Sequence, residues 1–221
     1  MTAFGLLFPR VMLRRLVLAG FLLALAGGLA TQVEARTIRV VAFGDSLSAG
    51  YQLGAADAFP AVLEAALKAR GQDVAVENAG VSGDTATAGL DRLDWSIAEG
   101  TDIVIVELGA NDALRGIDPA ITEKALDEII TRLKARKITV LLAGMYAPRN
   151  NGEAYVKAFD AIYPRLQQKH DVALYPFFLD GIQGDATLNL ADGMHPNPRG
   201  VRVIVERIAP VVEALVRAVN R

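Results

Sequence analysis

The sequence predicts an α/β fold, a parallel sheet with helices on both faces, on three observations. Apolar β-like runs and helix-period segments alternate about five times between Thr37 and Val219, and such alternation builds right-handed crossovers around a parallel sheet. The runs are short and almost continuously apolar, as in residues 102–108 (DIVIVEL), which suits strands covered on both sides. Four polar, glycine-bearing loops each follow a predicted strand, so all four open on the same edge of the sheet.

The elements follow in order. Residues 37–43 (TIRVVAF) are a β-branched first strand. It runs into Gly44-Asp45-Ser46-Leu47-Ser48-Ala49-Gly50-Tyr51, where two glycines bracket two serines and an aspartate. A serine placed where a strand stops is exposed at the strand's C-terminal edge, where open α/β sheets bind ligands, so Ser46 reads as a nucleophile. Asp57 is expected to cap the next helix, which carries Phe59, Val62, Leu63, Ala66 and Leu67 on one face and stops at Gly71. Residues 74–76 are a second strand ending at Asn78, followed by Asn78-Ala79-Gly80-Val81-Ser82-Gly83-Asp84-Thr85. Asp84 or Thr85 caps the helix holding Leu90, Leu93 and Ile97. The third strand, 102–108, ends at Gly109-Ala110-Asn111-Asp112. A helix over 121–137 puts Leu126, Ile129, Ile130 and Leu133 on one face, and strand 138–143 ends at Gly144-Met145-Tyr146-Ala147-Pro148. One amphipathic helix is expected over 155–170, a short fifth strand over 172–174 and turns over 177–190. Asp192-Gly193-Met194-His195-Pro196-Asn197 then leads into a final helix over 198–219.

The 221 residues, 52% hydrophobic, are enough for one domain with a single sizeable core. A net charge of −2 gives no basic footprint for nucleic acid. With no cysteine there is no disulfide, no thiol nucleophile and no thiolate metal site. The N-terminus has signal-peptide anatomy: Arg10, Arg14 and Arg15, then an apolar run over 16–29, then Val33-Glu34-Ala35 with small residues flanking a cut after Ala35. Gly28-Leu29-Ala30 offers an alternative cut after Ala30. The apolar run is shorter than the roughly 20 residues of a spanning helix, so cleavage is expected rather than a retained anchor. Residues 1–35 are thus read as a signal peptide and 36–221 as the functional domain, periplasmic or secreted and without stable membrane insertion. Removing the leader leaves 20 basic and 24 acidic residues, net −4.

No phosphate-binding loop, no G-x-G-x-x-G and no G-x-S-x-G elbow occurs. Two histidines without cysteine are a poor metal set, so neither metal nor cofactor is expected. A serine nucleophile needs a base. His170 lies at a helix end, in Gln-Gln-Lys-His-Asp, where a solvated cation suits the macrodipole. His195 lies in a glycine- and proline-bounded loop three residues after Asp192. That carboxylate can take Nδ1–H and leave Nε2 free for a serine. Asp45 and Asp112 are read as turn-holding groups and Asp84 as a helix cap, and Ser48 is a rival nucleophile set aside for Ser46.

Four of these loops together resemble the SGNH, or GDSL, hydrolase family. Gly44–Tyr51 is similar to its first block, Gly83 in Val81-Ser82-Gly83-Asp84-Thr85 to its second, Gly109-Ala110-Asn111-Asp112 to its third and Asp192–Asn197 to its fifth, in family order and at about family spacing. Val106-Glu107-Leu108-Gly109 and Ala161-Ile162-Tyr163-Pro164 resemble the small periplasmic thioesterase I/arylesterase/lysophospholipase type within it. The resemblance implies a flavodoxin-like three-layer α/β/α sandwich with a five-stranded parallel sheet. It implies Ser46 as nucleophile, His195 as general base and acid, Asp192 as its orienting group, and an oxyanion hole of Ser46 N–H, Gly83 N–H and the Asn111 side-chain amide.

An acyl substrate needs apolar walls. Candidates are Leu47, the 113–117 segment with Leu114, Met145 with Tyr146, Ala147 and Pro148, the Phe177-Phe178-Leu179 run, Ile182 and Met194. The expected activity is hydrolysis of small-molecule carboxylic esters and acyl thioesters through an acyl-serine intermediate. A carbohydrate O-acetyl esterase on the same fold is the alternative, and a non-catalytic periplasmic binding protein a remoter one. The sequence carries no reading of oligomeric state.

Overall fold

In the computed structural model, which describes residues 1–2 and 36–220, five parallel strands form one sheet. These are β1 (Ile38–Gly44), β2 (Val74–Gly80), β3 (Ile103–Glu107), β4 (Thr139–Ala143) and β5 (Ala173–Tyr175), in the order β2-β1-β3-β4-β5. The leader and both cleavage points lie outside the described residues. Among the described residues, no helix is long and apolar enough to cross a membrane.

The strand order decides where a site can form. β1 lies between β2 and β3, so its connection and that of β3 leave the sheet in opposite directions. A crevice opens between them at the carboxyl ends of the strands, the switch point at which doubly wound sheets bind ligands. Register places Gly44 opposite both Gly80 of β2 and Glu107 of β3, so three loops start side by side. Every residue of β3 is buried, and β1 is buried except at Arg39, as strands between two helical layers must be.

The helices are α1 (Ser46–Ala49), α2 (Phe59–Ala69), α3 (Ala86–Ser96), α4 (Ala110–Leu114), α5 (Pro119–Ala135), α6 (Glu153–Asp160), α7 (Ile162–His170) and α8 (Pro198–Val219). α2 packs on α8, while α3 packs on α5 and α5 on α7. The predicted apolar stripes are the buried ones: Phe59, Leu63 and Leu67 on α2, and Leu126, Ile129, Ile130 and Leu133 on α5. α8 buries Val201, Ile204, Val205, Ile208, Val212 and Val216 at helical spacing and starts at Asn197, whose Oδ1 accepts the N–H groups of Arg199 and Gly200.

Several local expectations are corrected. Asp57 does not cap α2: it ends a short 3-10 turn, and Ala58 precedes the helix without a side-chain cap. Pro60 in the first turn supplies the fixed φ instead. The helix expected over 155–170 is two helices meeting at Ala161. Pro164 has no N–H to offer the carbonyl of residue 160, so it is accommodated only within the first turn of a new helix. β2 runs on to Gly80, because its polar residues Glu77 and Asn78 lie exposed on an edge strand. Thr85 caps α3 by accepting the Ala88 N–H, whereas Asp84 pairs with Arg92 at 2.6 Å.

Candidate active site

β1 ends at Gly44 and the chain turns at once into α1, a single turn of helix whose first residue is Ser46. Asp45 caps it, Oδ1 accepting the Leu47 N–H at 3.0 Å. Gly44 allows close approach: a Cβ there would lie 2.3 Å from Ser48 Oγ and 2.6 Å from the Glu107 carbonyl oxygen.

The second component comes from the loop between Asp185 and α8. Asn189 and Pro196 pair across it, and the Leu190 N–H donates to the His195 carbonyl. Asn197 Nδ2 donates to Thr187 O and Asn189 O. Within this frame Asp192 Oδ1 accepts the Met194 and His195 N–H groups, and Asp192 Oδ2 lies 2.7 Å from His195 Nδ1. A carboxylate has no proton to give, so Nδ1 carries the hydrogen and Nε2 presents its lone pair. That Nε2 lies 2.9 Å from Ser46 Oγ, within range for the hydroxyl to donate to it. The Asp192 carboxyl is lowered to about 2, chiefly by the backbone N–H of His195 and then that of Met194. It therefore stays ionised across the range in which an imidazole titrates. The Tyr51 ring lies against His195, centroids 4.4 Å apart.

The third component is the turn after β3. Asn111 Nδ2 donates to Asp45 Oδ2 and to the Asp84 carbonyl, both at 3.0 Å. The amide thus lies between the loops that follow β1 and β2, with both hydrogens engaged. Gly83, one residue before Asp84, has φ +90°, a conformation that excludes most side chains. Asp112 is buried, accepting the Ala86 N–H and the Thr122 hydroxyl, a turn-holding role as anticipated, like that of Asp45.

Ser46, Asn111 and His195 open on a cavity of about 340 Å³. Of the predicted wall residues, Leu47, Leu114, Tyr146, Pro148 and Met194 line it, together with Met145, Phe177 and Leu179. Ala147 does not: its side chain is buried, and its N–H donates to Asp160 Oδ1. Phe178 and Ile182 are core residues. Gln183 and Asn189 also line the cavity, and no pattern in the turn-rich 177–190 stretch marked them out. Ser48 is buried with its hydroxyl on Glu107 Oε2 at 2.8 Å, out of reach of substrate. His170 is not solvated as expected: its side chain is 11% exposed and Nε2 lies 2.6 Å from Asp127 Oδ1. Among the described residues, no cluster of three or more His, Cys, Asp or Glu could hold a metal.

Comparison with known proteins places this chain in a family. The model of the GDSL-like lipase/acylhydrolase family matches residues 42–203. An arylesterase of Vibrio mimicus is 39% identical over 77% of this chain and 86% of its own. Esterase TesA of Pseudomonas aeruginosa is 37% identical over 92% of this chain and 100% of its own. Among solved structures, AlinE4, an SGNH-hydrolase family esterase, is 44% identical with a TM-score of 0.69, covering 80% of this chain and 95% of its own. That of TesA is 37% identical with a TM-score of 0.75, covering 81% and 99%. With block residues, strand order and relatives in agreement, the chain belongs to the GDSL-like lipase/acylhydrolase family, the SGNH hydrolases.

Proposed function

We propose that this chain is an exported serine esterase that hydrolyses carboxylic esters and acyl thioesters through an acyl-Ser46 intermediate. The observation that carries the reading is the Asp192–His195–Ser46 relay, with distances of 2.7 and 2.9 Å, opening on a cavity walled largely by apolar side chains. Export rests on the leader anatomy of residues 1–35 alone.

Ser46 Oγ attacks the acyl carbonyl carbon as its proton passes to His195 Nε2. The carbonyl π pair moves onto oxygen, and the N–H groups of Ser46, Gly83 and Asn111 receive the oxyanion. Asn111 does so by sharing a hydrogen now accepted by Asp45 or Asp84. Fixed neutral donors of this kind stabilise the tetrahedral species without reorganising, each worth about 2.7–4 kcal/mol. Collapse expels the alcohol or thiol, which takes the proton from Nε2. A water then repeats the sequence on the acyl-enzyme and frees Ser46. The ionised Asp192 stabilises the imidazolium formed in each half.

Relatives support the choice of bond. A thioesterase 1/protease 1/lysophospholipase L1 of Escherichia coli is 40% identical over 78% of this chain. The cavity walls favour acyl chains over sugars, because Tyr146 and Phe177 stack on one another, centroids 4.7 Å apart, rather than forming an open ring platform.

The test is hydrolysis of p-nitrophenyl esters from acetate to palmitate by wild type and S46A. Wild type is expected to prefer acyl chains longer than acetate, and S46A to lose at least ~10³-fold in kcat. Wild-type turnover in S46A would overturn the nucleophile. A preference for acetylated sugars over medium-chain esters would favour the deacetylase alternative.

A further inference from the structure

Glu107 ends β3 and is fully buried, yet no step of the proposed reaction uses it. It lies directly beneath the nucleophile turn. Its Oε2 accepts the Ser48 hydroxyl at 2.8 Å and faces the Asp45 N–H at 3.3 Å, so it holds α1 at residues on both sides of Ser46. Its Oε1 is buried without a hydrogen-bond partner. Beside it, Asp45 is also buried, but both its oxygens are served, by the Leu47 N–H and by Asn111 Nδ2.

Two buried carboxyls this close do not both ionise. The negative charge belongs where donors receive it, on Asp45. The carboxyl with an orphan oxygen is cheaper to keep neutral, since an unpaired buried charge costs more than an unpaired neutral oxygen. Resting on the reading of Ser46 as nucleophile, we propose that Glu107 is a neutral carboxylic acid that positions Ser46 by clamping the turn through Ser48 and Asp45. Burial first, and the charge of Asp45 second, hold the Glu107 carboxyl well above the ordinary range. The same burial raises Asp45 to about 6, with the Leu47 and Asn111 donors and His195 opposing and Asp112 adding to the rise.

The groups around the pair are consistent with a proton on Glu107. Arg92 spends its guanidinium on Asp84 and on the carbonyls of Gly44 and Ala79. Tyr163 donates its hydroxyl to Leu108 O. Asp112 is engaged with Ala86 N–H and Thr122, and His195 is paired with Asp192. Among the described residues, no cation contacts Glu107. Ionising it would set a second negative charge against Asp45 and loosen the turn that carries Ser46.

The experiment measures kcat, KM and their pH dependence on one ester for wild type, S46A, S48A, E107A and E107Q, with circular dichroism to confirm folding. Gln keeps an acceptor for Ser48 and Asp45 and cannot ionise. E107Q should restore kcat to within about threefold of wild type and abolish a reversible alkaline loss that wild type shows. E107A should lower kcat by ~10²-fold with KM little changed, the scale of a misplaced reacting group, and S48A should lower it in the same direction by less. If E107A does not fold, S48A and E107Q decide. The proposal fails if E107Q is as impaired as E107A, if its alkaline profile matches wild type, or if folded S48A turns over like wild type. An active S46A would instead refute the nucleophile itself.

Discussion

Removing the charge of Arg92 should cost this protein a large part of its stability. It sits on α3, 6% exposed, and Nε donates to Asp84 Oδ2 at 2.6 Å. Nη1 donates to the Ala79 carbonyl at 2.9 Å and to Ser96 Oγ at 3.2 Å, and Nη2 to the Gly44 carbonyl at 2.9 Å. The guanidinium also lies 4.3 Å from the centre of the Phe43 ring. R92M keeps much of the volume and removes every donor. Asp84, whose side chain is only 14% exposed, is left without its cation, and breaking such a buried pair costs about 3–5 kcal/mol. Two strand-end carbonyls lose a donor as well, but water can reach Ser96, so the pair sets the scale. Against a domain stability of about 5–15 kcal/mol, R92M should fold but unfold at markedly lower urea. R92K restores a point charge to Asp84 but cannot fork to two carbonyls, and should lie between. Urea denaturation followed by far-ultraviolet circular dichroism measures this, since Trp95 is 76% exposed and a poor reporter of the core. A loss below about 1 kcal/mol at unchanged denaturant slope would refute the reasoning.

Three further outcomes are expected. D192N should fold and lower kcat by about 10⁴-fold, because an amide no longer fixes the Nδ1–H tautomer; stopped assays on the purified variant measure it. G44A should destabilise by about 3 kcal/mol and depress kcat, because the new Cβ meets Ser48 Oγ and Glu107 Oε2 at 2.3 and 2.4 Å and a backbone carbonyl at 2.6 Å; urea titration and ester turnover check both effects. The last concerns pH. Asp45 is raised from 3.8 to about 6, so between those values the native state binds more protons than the unfolded one. Its contribution to stability therefore declines as pH rises from about 4 to 6, by about 3 kcal/mol. Wild type minus D45N, compared by urea midpoints across that window, should show this decline.

The parts of this protein that were legible in the sequence are those whose chemistry is local. β1 and β3 could be read because strands covered on both faces are almost wholly apolar, and α8 because its apolar residues keep helical spacing over 22 positions. Asp192 and His195 could be paired because only two residues separate them. Reading failed where partners are distant in the chain. Arg92 looks like the solvent face of a helix, since nothing nearby shows that Gly44, 48 positions earlier, receives its Nη2. Glu107 looks like a strand end, although a charged residue in the otherwise apolar run 103–108 is the available signal. The wall residues failed for a different reason. Sequence alone does not fix which way a loop side chain turns, so nothing in Met145-Tyr146-Ala147-Pro148 separates the buried Ala147 from the three neighbours that line the cavity.

The same contacts separate what sets rate from what sets substrate. Arg92 ties the ends of β1 and β2. Asn111 ties the turn after β3 to Asp45 and Asp84, and Asp112 ties it to the start of α3. All of these join buried or half-buried groups, so the turns that carry Ser46 and Asn111 are held in place before substrate arrives, as preorganisation by the proposed oxyanion donors requires. The cavity mouth is built otherwise. Leu114 and Met194 are 56% and 49% exposed, so their side chains keep rotamer freedom and can close on acyl chains of different length. L114A and M194A should therefore shift the chain-length profile of p-nitrophenyl esters, chiefly through KM, while R92M lowers kcat on every ester by a similar factor. A uniform loss on all esters in M194A, or a chain-length-dependent one in R92M, would show that walls and ties are not separable. Acyl-chain breadth would then have to be built into the fixed turns themselves.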